Sequence, residues 1–115
     1  MTVQEFLKES YEASEFERVA HLGHMIRPRI RCKDGFYISV QATFCHYCFP
    51  RETFAGPYEE VELGFPSEAD PFIEDYAEDP NDAPDTVYGY VPIDIVERLI
   101  KKHGGIVEDQ ELIAL

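Results

Sequence analysis

Arg27-Pro-Arg-Ile-Arg-Cys-Lys33, then Asp34-Gly35, then Phe36-Tyr-Ile-Ser-Val-Gln-Ala42: two alternating runs flank an Asp-Gly pair. Alternation on both sides of such a pair is the strongest hairpin signal in the chain. One arm turns Ile30 and Cys32 inward, and the other Phe36, Ile38, Val40 and Ala42. The register follows from which residues must share a face. A two-residue Asp-Gly turn would set Cys32 opposite Tyr37 and Ile30 opposite Ser39, mixing apolar with polar. A three-residue loop, Lys33-Asp34-Gly35, sets Cys32 opposite Phe36 and Ile30 opposite Ile38. The sequence therefore predicts the three-residue loop, with Gly35 in the left-handed conformation. The outer face then pairs Arg31 with Tyr37, Arg29 with Ser39 and Arg27 with Gln41.

Outward from this hairpin the other elements fall into place. Thr2-Val-Gln-Glu5 fits a capping box, and Val3, Phe6, Leu7 and Tyr11 follow at helical spacing. This predicts an amphipathic helix from Thr2 to about Ser14 or Glu15. Residues 17–21 could form one more short strand. Residues 44–56 read as a loop. Residues 58–65 alternate again, with Val61, Leu63 and Phe65 inward and Glu60 and Glu62 outward. Residues 67–79 are expected to hold a short helix, with Asp70 as N-cap, Pro71 at its first position, and Phe72, Ile73 and Tyr76 as its apolar face. Residues 80–85 read as a polar loop and 86–90 as a strand. Residues 92–103 form the clearest helix: Ile95, Val96, Leu99 and Ile100 inward, Lys101, Lys102 and His103 in the last turn, and Gly104 to stop it. From Ile106 the tail is expected to pack partly and fray. The expected fold is a single α+β domain over residues 1–115, in the order α-β-β-β-α-β-α. It has a mainly antiparallel sheet of three to five strands, with helices packed on one face.

At 115 residues, 44% hydrophobic, with eight Phe and seven Tyr, the chain has room for one core. No apolar stretch is long enough for a membrane span. The first residues lack the basic and hydrophobic regions of a signal peptide. Three cysteines are too few for a disulfide scaffold, so a reducing cytoplasm is the expected location. Charge is segregated. Residues 18–51 carry six Lys/Arg against Asp34 alone, whereas residues 52–97 carry fourteen carboxylates and no Lys or Arg, more than the whole net charge of −13.

Four constellations could carry chemistry. Cys45-His-Tyr-Cys48, with His21-Leu-Gly-His24 upstream, could supply four ligands to a structural zinc, and Cys32 or His46 could substitute. Cys-x-x-Cys alone is weak evidence, and a free cysteine also packs as a small hydrophobe. Cys45 or Cys48 with His46 or His24 could form a nucleophile–base pair, but no local signature surrounds them. The row Arg27, Arg29, Arg31 and Lys33 beside Tyr37 could meet a single strand of nucleic acid. The overall charge weighs against direct nucleic-acid binding, because phosphate contacts dominate that affinity. The same row could equally answer the acidic segment within the molecule. The fourth is that segment itself: Glu59, Glu60, Glu62, Glu68, Asp70, Glu74, Asp75, Glu78 and Asp79. It follows no EF-hand spacing. Its plain reading is a solubilising surface. Its functional reading is a face that docks on a basic protein surface, with a charge density approaching that of nucleic acid.

Residues from about Arg29 to Ile106 resemble small uncharacterised proteins of bacterial prophages and other mobile elements. The likeness rests on Arg29-Ile-Arg-Cys-Lys-Asp-Gly35, His46-Tyr-Cys48 with Pro50-Arg51, Val61-Glu-Leu-Gly-Phe-Pro-Ser67, Tyr76-Ala-Glu-Asp79, and Val87-Tyr-Gly-Tyr-Val-Pro92 leading to Lys102-His-Gly-Gly-Ile106. The resemblance carries no site residues. It implies a context in which small acidic proteins bind and block host proteins, including defence nucleases. The expected function is a non-enzymatic interaction protein without cofactor. A zinc-binding regulatory module using Cys45, Cys48 and histidines is the alternative. Head-to-tail self-association through the basic and acidic parts is a further use of the same segregation.

Overall fold

The computed structural model describes residues 1–13, 26–53 and 56–108. The fold is α+β: a four-stranded antiparallel sheet in the order β1-β2-β3-β4, preceded by one helix and followed by another. Helix α1 (Val3–Ala13) starts where the capping box places it. The Glu5 amide donates to Thr2 Oγ1 at 3.0 Å, and the Thr2 amide donates to Glu5 Oε1 at 2.6 Å. Both orphan donors at the helix start are thereby satisfied. A third, the Val3 amide, is met by both carboxylate oxygens of Glu97, at 2.9 and 3.1 Å. That contact fastens α1 to helix α2 (Ile93–Lys102).

Strands β1 (Ile30–Arg31) and β2 (Tyr37–Gln41) pair with Ile30 opposite Ile38 and Arg31 opposite Tyr37. The Cys32 amide donates to Phe36 O at 2.8 Å, the Gly35 amide donates to Cys32 O at 3.0 Å, and Gly35 has φ 99°. The three-residue loop and its left-handed glycine are as the face argument predicts. Strand β3 (Glu60–Gly64) pairs with β2, and strand β4 (Val87–Pro92) with β3. The core lies between the helices and one face of this sheet. Val3, Phe6 and Leu7 of α1 and Val96, Leu99 and Ile100 of α2 join Ile38, Val40, Val61, Leu63 and Val91 in one buried cluster.

Four expectations are corrected. Residues 67–79 form turns and a single 3-10 turn at Glu74–Tyr76, not an α-helix. Asp70 still receives the Phe72 amide at 2.9 Å, but it is buried and committed elsewhere. Ile73 is buried as expected, whereas Phe72 is exposed. Phe65 also turns outward. The buried position falls instead on Gly64, and Phe65 leaves the strand at φ 50°. Arg27 leaves the outer basic row altogether. It is 2% exposed, its Nε donates to Leu7 O at 3.1 Å, and its Nη1 donates to Ala42 O at 2.8 Å. Its backbone N–H donates to Gln41 Oε1 and its carbonyl accepts from Gln41 Nε2, both at 2.9 Å, so it pairs with a side chain and not with the strand backbone; Pro28 next in line offers no amide hydrogen to continue the ladder. The strand considered at 17–21 and the tail from 109 lie outside the described residues.

Both edges of the sheet are covered. Beyond β1, the Val107 amide donates to Arg31 O at 2.8 Å and the Lys33 amide to Gly105 O at 3.1 Å, with Cys32 and Ile106 bridged. Beyond β4, Ala77 bridges Tyr88 and the Glu78 amide donates to Val87 O at 2.9 Å. Unpaired strand edges invite pairing with other chains, and these two are closed to it. No described helix is long and apolar enough to cross a membrane.

Candidate functional site

The acidic run emerges on ordered turns. Of its fourteen carboxylates ten are exposed, so most of the charge faces solvent. The densest stretch, Glu74, Asp75, Glu78, Asp79, Asp82 and Asp85, lies along the segment that covers the β4 edge. Side-chain and backbone bonds hold that segment. The Asp79 amide donates to Thr86 Oγ1 at 3.1 Å, the Asn81 amide to Asp79 Oδ1 at 3.1 Å, and the Tyr88 hydroxyl to Ala83 O. Glu68 and Glu59 are exposed too, while Glu60 is half-buried. Glu62 is half-buried on the outer sheet face, where its Oε1 receives the Tyr47 amide at 3.0 Å. Glu97 is used at the start of α1. The nine acids named from sequence therefore do not form one uniform face.

Asp70 belongs to a different arrangement. It is 3% exposed and anchors a partly buried clasp joining three distant pieces of chain. His103, at the end of α2, places Nε2 3.0 Å from Asp70 Oδ2 and Nδ1 2.7 Å from Asp34 Oδ2 in the hairpin loop. Lys102 Nζ donates to both Asp70 oxygens, at 3.1 and 3.0 Å, and lies 4.5 Å from the Phe72 ring centre. The imidazole stacks on Phe36, with ring centres 3.9 Å apart and planes 7° apart. Burial disfavours the imidazolium, but the hydrogen bonds it donates to Asp34 and then to Asp70 outweigh that and raise His103 above its ordinary value. Burial pushes Asp70 up. The Phe72 amide, His103 and Lys102 together outweigh that and leave it low. Asp34 is lowered chiefly by the Phe36 amide and then by His103. Both ring nitrogens are engaged and His103 is only 6% exposed, so the clasp ties the end of α2 to the hairpin loop and to Asp70.

On the β1 side, Arg29, Arg31 and Lys33 are exposed. The guanidinium carbons of Arg29 and Arg31 lie 5.6 and 5.8 Å from the centre of the Tyr37 ring, so one aromatic orients two cations. Among the described residues, the only ion pairs are those of Met1 with Glu108, Lys102 with Asp70, and His103 with Asp34 and Asp70. The basic row and the acidic run thus do not neutralise one another there. Their placement explains this. Arg29 and Arg31 flank and form β1, while Glu78 and Asp79 lie beyond β4. Four strand spacings separate them, about 19 Å, well past a Debye length of about 8 Å at physiological salt.

The cysteines differ in setting. The Cys48 thiol is buried, donates to Thr43 O at 3.3 Å and Pro50 O at 3.5 Å, and is raised by that burial. Cys32 is buried in the hairpin, where burial pushes its thiol to about 11. Cys45 is half-buried, with Sγ 3.2 Å from Thr43 Oγ1, which also meets His46 Nδ1 at 2.6 Å. His21 and His24 lie outside the described residues. Among the described residues, no group of three or more His, Cys, Asp or Glu is placed to hold a metal ion. A cavity of about 450 Å³ opens on the outer sheet face between Ile26, Arg29, His46, Glu62 and Phe65.

Sequence reasoning missed the clasp, whose members stand 33 and 69 residues apart. The available signal was a pair of cations, Lys102 and His103, ending a helix whose dipole already favours them. Compared with known proteins, the chain matches no family model, no curated protein and no solved structure.

Proposed function

We propose that this protein acts by docking its acidic surface on a cationic surface of another protein. The supporting observation is the stretch beyond β4, where Glu74, Asp75, Glu78, Asp79, Asp82 and Asp85 are exposed on bonded turns and, among the described residues, no cation is paired to them. Carboxylates fixed on a folded edge keep their spacing, so a partner meets a pattern and not merely a charge. Linear arrays of negative charge are what nucleic-acid-binding surfaces are built to receive. The partner class is therefore a basic protein surface, with a nucleic-acid site, such as that of a host defence nuclease, as its most specific form.

The test compares wild type with a variant carrying Glu74→Gln, Asp75→Asn, Glu78→Gln and Asp79→Asn as immobilised bait in bacterial lysate. The expected captures are basic proteins, lost by the variant and released between about 0.1 and 1 M salt as screening shortens. Duplex DNA should compete for them. Captures that persist in the variant and at high salt would sink the electrostatic reading.

A further inference from the structure

We propose that the β1 side of the sheet is a docking site for the acidic edge of a second copy of this chain, giving head-to-tail association. The site is Arg29, Tyr37 and Arg31. Both guanidinia are exposed, both lie within 6 Å of one ring centre, and among the described residues neither has a carboxylate partner. A guanidinium held over an aromatic face keeps its fork of N–H donors free for a carboxylate. It has also already lost some of the side-chain freedom that an exposed ion pair must otherwise give up.

The occupant is argued from charge and from placement. The chain carries its own complement, Glu78, Asp79, Asp82 and Asp85, on the segment covering the opposite edge of the same sheet. One molecule cannot bring the two together, because three strands lie between them. Two molecules can, with the outer face over β1 and β2 of one against the β4 edge of the next. The contact uses different surfaces on the two partners, so it is heterologous and can repeat. It is made by side chains, since backbone pairing is closed at both edges by residues 105–107 and 77–78. Net repulsion from a charge of −13 opposes it at long range and is screened at moderate salt, whereas the contact pairs are not separated by solvent to the same degree. Association is accordingly weak and depends on concentration.

Purified full-length protein, with no other component, provides the test. Sedimentation should show the average mass rising above the 13.3 kDa monomer with concentration, and returning to it at about 1 M salt, where the Debye length is about 3 Å. Arg29→Ser/Arg31→Ser and Glu78→Gln/Asp79→Asn/Asp82→Asn/Asp85→Asn should each be monomeric alone. Mixed in equal amounts they should form a heterodimer and stop there, because each supplies only the edge the other lacks. A wild type that stays monomeric at millimolar concentration overturns the proposal, whatever the variants do. So does a mixture with no heterodimer, or tighter binding of a fluorescent oligothymidylate than of a second copy at Arg29 and Arg31. Any of these leaves docking to a foreign basic protein intact, since that uses the acidic edge alone.

Discussion

Replacing Asp70 with Asn changes one atom of the clasp and removes its central charge. Asp70 receives three donors: the Phe72 amide at 2.9 Å, Lys102 Nζ at 3.1 and 3.0 Å, and His103 Nε2 at 3.0 Å. Asn keeps one acceptor oxygen and turns an NH₂ toward donors. Hydrogen bonds to charged groups contribute about 1.5–3 kcal/mol each when buried. The Lys102 side chain is 39% exposed and recovers water, so its share falls to about 1 kcal/mol or less. The expected loss is about 2–3 kcal/mol in urea unfolding at pH 5.5, with an unchanged denaturant slope. The pH dependence is more telling. An imidazole held above 6.5 contributes stability that is complete below that value and is lost as pH rises through its raised value. Carboxylates held below 3.8 contribute stability present above that value and lost on acidification. The clasp is therefore strongest between about pH 4 and 6.5. In the Asn variant His103 is free to become neutral and accept from the new amide. The difference from wild type should shrink at pH 8.5. A loss below about 0.5 kcal/mol, or one equal at both pH values, would refute the reasoning.

Three further outcomes are expected. Gly104→Ala should cost more than Gly105→Ala or Gly35→Ala in thermal unfolding. All three have φ near 90–100°, which costs an L-residue about 1 kcal/mol, but only at Gly104 does the new Cβ also meet Lys33 Cβ, at 3.2 Å. Equal losses would show that Lys33 yields freely. Under native conditions at pH 8, iodoacetamide should label Cys45 first, because Cys32 and Cys48 are buried and their thiols raised; mass mapping of the labelled sites checks this. Arg27→Ala should destabilise by about 1.5–3 kcal/mol, through the carbonyls of Leu7 and Ala42 that lose a charged donor. A surface-like change under about 0.5 kcal/mol would contradict its buried placement.

The hairpin was legible to the register. Alternation on both arms left one loop length that kept apolar opposite apolar, and Ile30 faces Ile38 accordingly. The capping box at Thr2 and the glycine stop at Gly104 were equally local and equally readable. What failed was local pattern with a distant owner. Asp70-Pro71 reads as a helix start, yet its carboxylate is claimed by Lys102 and His103, more than thirty residues away. Arg27 sits at an outward position by alternation, but the carbonyls that draw it inward lie on α1 and at the end of β2. Phe65 and Tyr90 look like strand residues and have φ of 50° and 52°. Tyr90 falls beside the irregularity between Val61 and Leu63 in the β3–β4 register, which no sequence period announces. For the candidate site, the sequence showed that charge is segregated. Only the strand order showed that the two signs lie at opposite edges.

The sealed sheet edges have an evolutionary consequence. A protein that recruits by adding a strand must conserve a backbone geometry, and its partners are constrained to match. In the docking proposed above, recognition is left to side chains on turns whose own bonds run mostly through backbone groups, Thr86 and Tyr88. Carboxylates such as Glu78 or Asp85 can be exchanged, added or moved along that rim while the hydrophobic cluster stays as it is. On the docking proposed above, specificity can thus change on a fold that does not.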